Sequence, residues 1–304
     1  MKKTGKRLLA AMLLFCTILI GAAGYEVMAA DEAQSTESTS ETVNSADDLP
    51  GKRIGVQLGT TGDIYVSDYE SDGSGTVVER YNKGADAIQA LKQGKIDCVV
   101  IDEQPAIKFV EQNTGIRILD EEFTLEDYAF VVAKSNTELL DKVNSALEKL
   151  EADGTIADIQ KNYIGTEDEI GKFPYESKDV SHENGTLTVG TNAEFPPYES
   201  YEDGQIVGID MDIMRAVSDE LGMELKIEDM AFDSIIPAIS TGKVDIGAAG
   251  FTVTKERKKN VNFTDTYTTS KQVIIVKDDT VTSEKAGLSE KFYDNFVKDS
   301  RYVY

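Results

Sequence analysis

Residues Gly242 to Thr264 read GKVDIGAAGFTVTKERKKNVNFT, and this stretch decides the fold. Val244 to Gly247 has the pattern of a short buried strand. Ala248, Ala249 and Gly250 follow as a small-residue turn, where backbone can approach a ligand closely. Thr252 and Thr254 supply hydroxyls before a charged helical turn, and Thr254 suits its N-cap. Arg257 falls in that first turn. A helix N-terminus does not favour a cation, so Arg257 needs another reason to be there. A carboxylate held in its forked guanidinium is one such reason. A solvated basic run from Lys255 to Lys259 is the other.

On both sides of this stretch, strands and helices alternate. Arg53 to Gln57 reads as a strand, and Gly59-Thr60-Thr61-Gly62 as a turn opening a helix. Strand 76–78, helix Ala85–Gln93, strand Ile96–Ile101, helix Glu103–Gln112 and strand Ile116–Leu119 follow. Strand Tyr128–Ala133 comes next. Ser135-x-x-Glu138 reads as a capping box; it opens a helix with Leu139, Leu140, Val143, Ala146, Leu147 and Leu150 on one face. After Gly154 a second helix ends at Tyr163. A second run holds strand Leu187–Gly190, helix Ile209–Leu221, strand Leu225–Ile227, helix Ser234–Ser240, the opening stretch, and strand Gln272–Val276. This alternation predicts an α/β fold with largely parallel sheets. Residues 88–97, IQALKQGKID, echo residues 236–245, IPAISTGKVD. Each segment is a helix ending at a glycine that feeds a buried strand, which predicts two related lobes.

The ends and the middle read differently. Residues 1–30 have the basic start and apolar run of a secretory signal or N-terminal anchor. Residues 31–46 are Ser/Thr/Glu-rich and read as a disordered tether. Residues 47–127 form one lobe, with closing strand and helices of the other at 128–165. A polar linker spans 166–185, and 186–277 completes the other lobe with a crossover strand. Residues 278–304 end in LSEKFYDNFVKDSRYVY.

The chain of 304 residues is long enough for two lobes and carries a formal charge of −24. Without residues 1–30, which hold four basic residues and one acidic residue, the charge is −27. Such a surface repels nucleic acid and anionic lipid. Cys16 lies in the leader, so Cys98 remains alone after processing and is expected as a buried apolar residue. The single histidine, His182, lies in the linker. Histidine-based catalysis and His/Cys metal sites are therefore not expected, and no cofactor is.

Open α/β sheets bind ligands beyond the carboxyl ends of their strands. The groups placed there are Thr60, Thr61 and Gly62, after Gln57; Asp102; Asn192, Glu194 and Phe195; and Gly250, Thr252 and Arg257. One cation, an anion, hydroxyls and an aromatic face suit a zwitterion. Its carboxylate would meet Arg257 and the amides near Thr61, and its ammonium Asp102.

The segments TVGTNAEFPPYE, GIDMDIMRAVSDELG, MAFDSIIPAISTGKVDIGAAGFTVTKERKKNVNFT, LPGKRIGVQLGTTGD, GKIDCVVIDEQPA and GTIADIQKNYIG together resemble family 3 extracellular solute-binding proteins, the amino-acid receptors of ABC importers. The resemblance covers most of 47–165 and 186–277. It implies a two-lobed periplasmic-binding-protein-like fold of type II. It also implies ligand roles for Asn192, Phe195, Phe232, Gly250, Thr252, Arg257, Gln57, Thr61 and Asp102, with Phe195 and Phe232 sandwiching the side chain. The departure is in order: the TNAEFPPYE half, first in the family, here follows the GKRIGVQLGTTGD half. One permuted receptor or two truncated tandem receptors would both read this way. Permutation is expected to leave a single covalent crossing between the lobes, near Leu125–Tyr128. The last segment resembles the lead-in to an amino-acid permease, as in a receptor–permease fusion.

The expected function is capture of a polar amino acid at the cell surface or in the periplasm and its delivery to an ABC permease. The amide of Asn192 leans toward a glutamine-like ligand; Glu194, if it points inward, turns this toward arginine, lysine or histidine. A ligand-sensing domain of a membrane receptor is the alternative. A dehydratase-like enzyme of the same fold would have only Glu194 and Asp102 as acid or base.

Overall fold

The computed structural model describes residues 42–121 and 124–278. In chain order the elements are β1 (Arg53–Gln57), α1 (Thr61–Ser67), β2 (Val77–Tyr81), α2 (Gly84–Lys92), β3 (Cys98–Asp102), α3 (Glu103–Gln112), β4 (Ile116–Ile118), β5 (Thr124–Tyr128), β6 (Val131–Ala133), α4 (Thr137–Ala152) and α5 (Thr155–Ile164). After the linker come β7 (Thr186–Thr191), β8 (Glu194–Phe195), β9 (Glu199–Glu202), β10 (Gln205–Val207), α6 (Ile209–Leu221), β11 (Glu224–Asp229), α7 (Phe232–Ser240), β12 (Ile246–Gly247), β13 (Val261–Phe263) and β14 (Thr268–Lys277).

Two main sheets result. The first runs β2-β1-β3-β14-β4, with β5 also on β14; the second runs β11-β7-β12-β6-β13. A small antiparallel sheet of β10, β9 and β8 carries the chain past the end of β7. In β3 the pleat sends Cys98 and Val100 to one core and Val99 and Ile101 to the other, so the strand is buried on both faces. Cys98 is buried, and burial pushes its thiol up to about 12.

Several expectations are corrected. The expected strand Tyr128–Ala133 is two strands in two sheets. At its middle the Ala129 N–H donates to Phe251 O (3.0 Å) and the Phe130 N–H to Thr264 Oγ1 (3.0 Å), which peels the chain off the first sheet. β14 is ten residues long and belongs to the first sheet, while β13 belongs to the second. Among the described residues the chain therefore crosses between sheets twice, at 129–130 and at 264–267, not once. The far end of β14 lies away from the crossings, where the Asp278 N–H donates to Gly115 O. The α4 cap is Asn136, whose side chain accepts from the Leu139 N–H at 3.2 Å, and not Ser135. Folded structure starts before Asp47: Val43 is buried. The small sheet is additional to the expected elements. The expected signal or anchor, residues 31–41 of the tether and the permease-like segment from 279 onward lie outside the described residues.

The linker is strapped to α6. Tyr175 OH and the Lys178 N–H both donate to Asp219 Oδ2, at 2.7 and 2.8 Å. Both ends of the linker join elements of the second lobe, α5 and β7.

Candidate functional site

β1, β3, β7 and β12 deliver their following residues to one cavity between the two sheets. Gln57, Thr60, Thr61, Asp102, Asn192, Phe195, Phe232, Gly250, Thr252 and Arg257 all line it, joined by Ala249. Glu194 does not. It sits at the rim and pairs with Lys83 across the cleft. The residue at 195 points in and its neighbour at 194 points out, as alternation along β8 requires.

Arg257 opens a short 3-10 turn, and its N–H donates to Thr254 Oγ1 at 3.1 Å. Its side chain runs inward rather than to solvent and is only 7% exposed. Nη1 donates to Thr252 O (3.0 Å) and Nη2 reaches across the cleft to Gly59 O (3.1 Å). The guanidinium carbon is 5.4 Å from the ring centres of both Phe232 and Phe251, which stack on each other at 4.8 Å. Among the described residues no carboxylate lies within 4.0 Å of it. Burial lowers its pKa, opposed by the charges of Glu126 and Asp102. A buried cation without an adjacent anion is costly, and an anion in the cavity would offset that cost.

Asp102 ends β3. Tyr128 OH donates to its Oδ1. Burial, then the nearby charge of Glu126, pushes its carboxyl up to about 7. Thr60 caps α1 by accepting from the Asp63 N–H. Thr61 and Thr252 face each other across the cleft at 3.4 Å. Both hydroxyls donate to Glu126 Oε2, at 3.0 and 2.7 Å, and Gln272 Nε2 adds a third donor at 3.2 Å. Glu126, Tyr128 and Gln272 escaped the sequence reading. A glutamine opening the otherwise apolar run QVIIV was the one available signal.

At the other end, Gln57 Nε2 donates to Asn192 Oδ1 across the cleft at 2.9 Å, and Asn192 Nδ2 donates to Met230 O at 2.9 Å. Gln57 Oε1 is buried without a partner. Phe195 stacks on Tyr198 at 5.8 Å. Gly250 lies at φ +54, and its N–H donates to Asp210 Oδ2 at 2.9 Å. A Cβ there would meet the Phe195 ring at 2.9 Å, so backbone approaches the cavity where a side chain would fill it. Among the described residues no group of three His, Cys, Asp or Glu side chains is arranged to hold a metal ion. The cavity therefore offers a cation, a carboxyl, two neutral amides and aromatic walls, a set that can hold both charges of a small zwitterion.

The model of the bacterial extracellular solute-binding proteins, family 3, matches residues 74–166 and 187–298. The arginine-binding protein ArgT of Corynebacterium glutamicum is 43% identical over 84 residues, 27% of this chain and 28% of that protein. The arginine-binding extracellular protein ArtP of Bacillus subtilis is 40% identical over 93 residues, 31% of this chain and 36% of that protein. The L-cystine-binding protein TcyJ of Escherichia coli is 30% identical over 127 residues, 41% and 47%. The chain thus spans between 28% and 47% of the length of these relatives. A solved structure described as the arginine-bound form of domain 1 from TmArgBP is 40% identical, covering 32% of this chain and 84% of that one, with a TM-score of 0.28.

Proposed function

This chain belongs to family 3 of the bacterial extracellular solute-binding proteins, and on that premise we propose that it captures one polar α-amino acid between its lobes outside the cytoplasm. It then presents the ligand to an ABC permease. The observation that carries this reading is Arg257, buried and without a carboxylate in contact, in the same cavity as Asp102. The ligand carboxylate takes the guanidinium, with Thr61 and Thr252 beside it. The ammonium takes Asp102, and Phe195 and Phe232 flank the side chain. The protein does not turn its ligand over.

A glutamine-like ligand fits the side-chain end best, because Gln57 and Asn192 are neutral amides and Gln57 Oε1 is an unpartnered acceptor. The arginine-binding relatives ArgT and ArtP favour arginine instead. Capture works by closure: the contacts from Gln57 to Asn192 and from Arg257 to Gly59 exist only when the lobes meet, and a ligand bridging both lobes shifts the population toward that state. We further propose that the segment order records a circular permutation, joined through 166–185.

Calorimetry of the purified chain against the common amino acids tests the reading. One amino acid should bind, and Arg257→Ala and Asp102→Asn should each weaken it. Wild-type binding unaffected by either substitution would refute the assigned roles.

A further inference from the structure

The mouth of the cavity at its Asn192 end is lined with charge. Lys83, just before α2, reaches over the cleft to the Glu194 carboxylate. Both residues adjoin the cavity wall: Asn82 O accepts from Gln57 Nε2 at 3.3 Å, and Glu194 stands between Asn192 and Phe195 with its N–H donating to Asn192 O at 2.7 Å. The hydrogen bond that Lys83 donates to Glu194 raises the lysine's pKa above its ordinary value, with Asp86 and Asp229 as further acidic neighbours. Asp229 is itself held by the Ala193 N–H (3.0 Å) and Tyr201 OH (3.2 Å). The rim thus offers a carboxylate two residues from Asn192, the kind of group a cationic side chain would seek, and a lysine from the opposite lobe already occupies it.

We propose that Lys83 sets the charge class of the ligand: by occupying Glu194 and placing its own positive charge at the mouth, it reserves the side-chain end for neutral polar amino acids and disfavours cationic ones. This is specificity by repulsion as well as by fit. It rests on amino-acid capture in this cavity. The charges face solvent, so the effect is screened by salt.

The test compares arginine with citrulline, its near-isosteric neutral counterpart, by calorimetry on the full chain at low salt. Wild type should favour citrulline. Lys83→Met should raise the arginine-to-citrulline affinity ratio about threefold to fivefold, the size an exposed ion pair carries. Lys83→Met with Glu194→Gln should return the ratio to the wild-type value, and 1 M salt should shrink the shift. A wild-type preference for arginine, or a ratio unmoved by Lys83→Met, overturns the proposal; equal weakening of both ligands would make the pair a closure latch alone. Those failures leave Arg257-dependent binding of some amino acid intact. Absence of any such binding in wild type would instead remove amino-acid capture and this proposal together.

Discussion

Arg257 shows how a single side chain can be placed against its local preference. It begins a helical turn, where a cation is unwelcome, and it is buried beside a stacked pair of phenylalanine rings. Replacing it by alanine should weaken amino-acid binding by about a hundredfold or more, since two charge-assisted bonds of about 1.5–3 kcal/mol each are lost. Arg257→Lys keeps the charge but not the fork and should recover only part of the affinity. Titration calorimetry reads both. Asp102 makes a second prediction. Burial pushes its carboxyl up to about 7, and an ammonium pairs only with the ionised form. Affinity should therefore fall as pH drops below about 7, approaching tenfold per unit. The profile should be flat in Asp102→Asn. Proton release on binding at pH 6, measured in buffers of different ionisation enthalpy, checks the same point.

The site is made by element ends rather than by elements. β1, β3, β7 and β12 each stop at the cavity, and the turn after β12 is narrow enough that Gly250 has no room for a Cβ. Gly250→Ala should cost about 1–2 kcal/mol in urea unfolding from its left-handed backbone alone, and should weaken binding through the displaced Phe195 ring. At α4, Asn136→Ala should cost about 1 kcal/mol and Ser135→Ala much less, because only the Asn136 side chain meets a free helix N–H. Ser135-x-x-Glu138 fits the capping pattern equally well on paper. One residue of offset in where the helix begins separates the two, and that offset follows from where β6 leaves the second sheet.

The described residues form two lobes joined by two strand crossings, with cavity-lining groups on both sides of the cleft. A bound amino acid should stabilise it as one unit, by about 2.7 kcal/mol at a hundredfold excess over Kd. Asp102 and Asp210 are both pushed up to about 7 by burial. The native state therefore holds protons that the unfolded chain releases above its ordinary carboxylate range. The ligand-free melting temperature should rise as pH falls from 8 toward 5. Saturating ligand should flatten part of that trend, because it keeps Asp102 ionised. Differential scanning fluorimetry across pH, with and without ligand, checks both signs.

The residue order alone determined the α/β class, the family and the membership of the cavity, save Glu194. The class follows from periodicity and most of the cavity from strand ends, which are local: a buried strand followed by a small-residue turn puts its next side chains at the sheet edge wherever the rest of the chain goes; the family, with Gln57 and Phe232, came from the resemblance of the motifs. Tertiary structure decided what depends on groups far apart in sequence. Glu194 faces the rim, opposite to Phe195 on β8, and there meets a lysine 111 positions away. Glu126 gathers Thr61 and Thr252 from opposite lobes. The second crossing appears because β14 pairs with β3 rather than with β13's sheet. Each of these is a choice among distant partners of nearly equal local merit, settled only by which surfaces pack against each other when both lobes close.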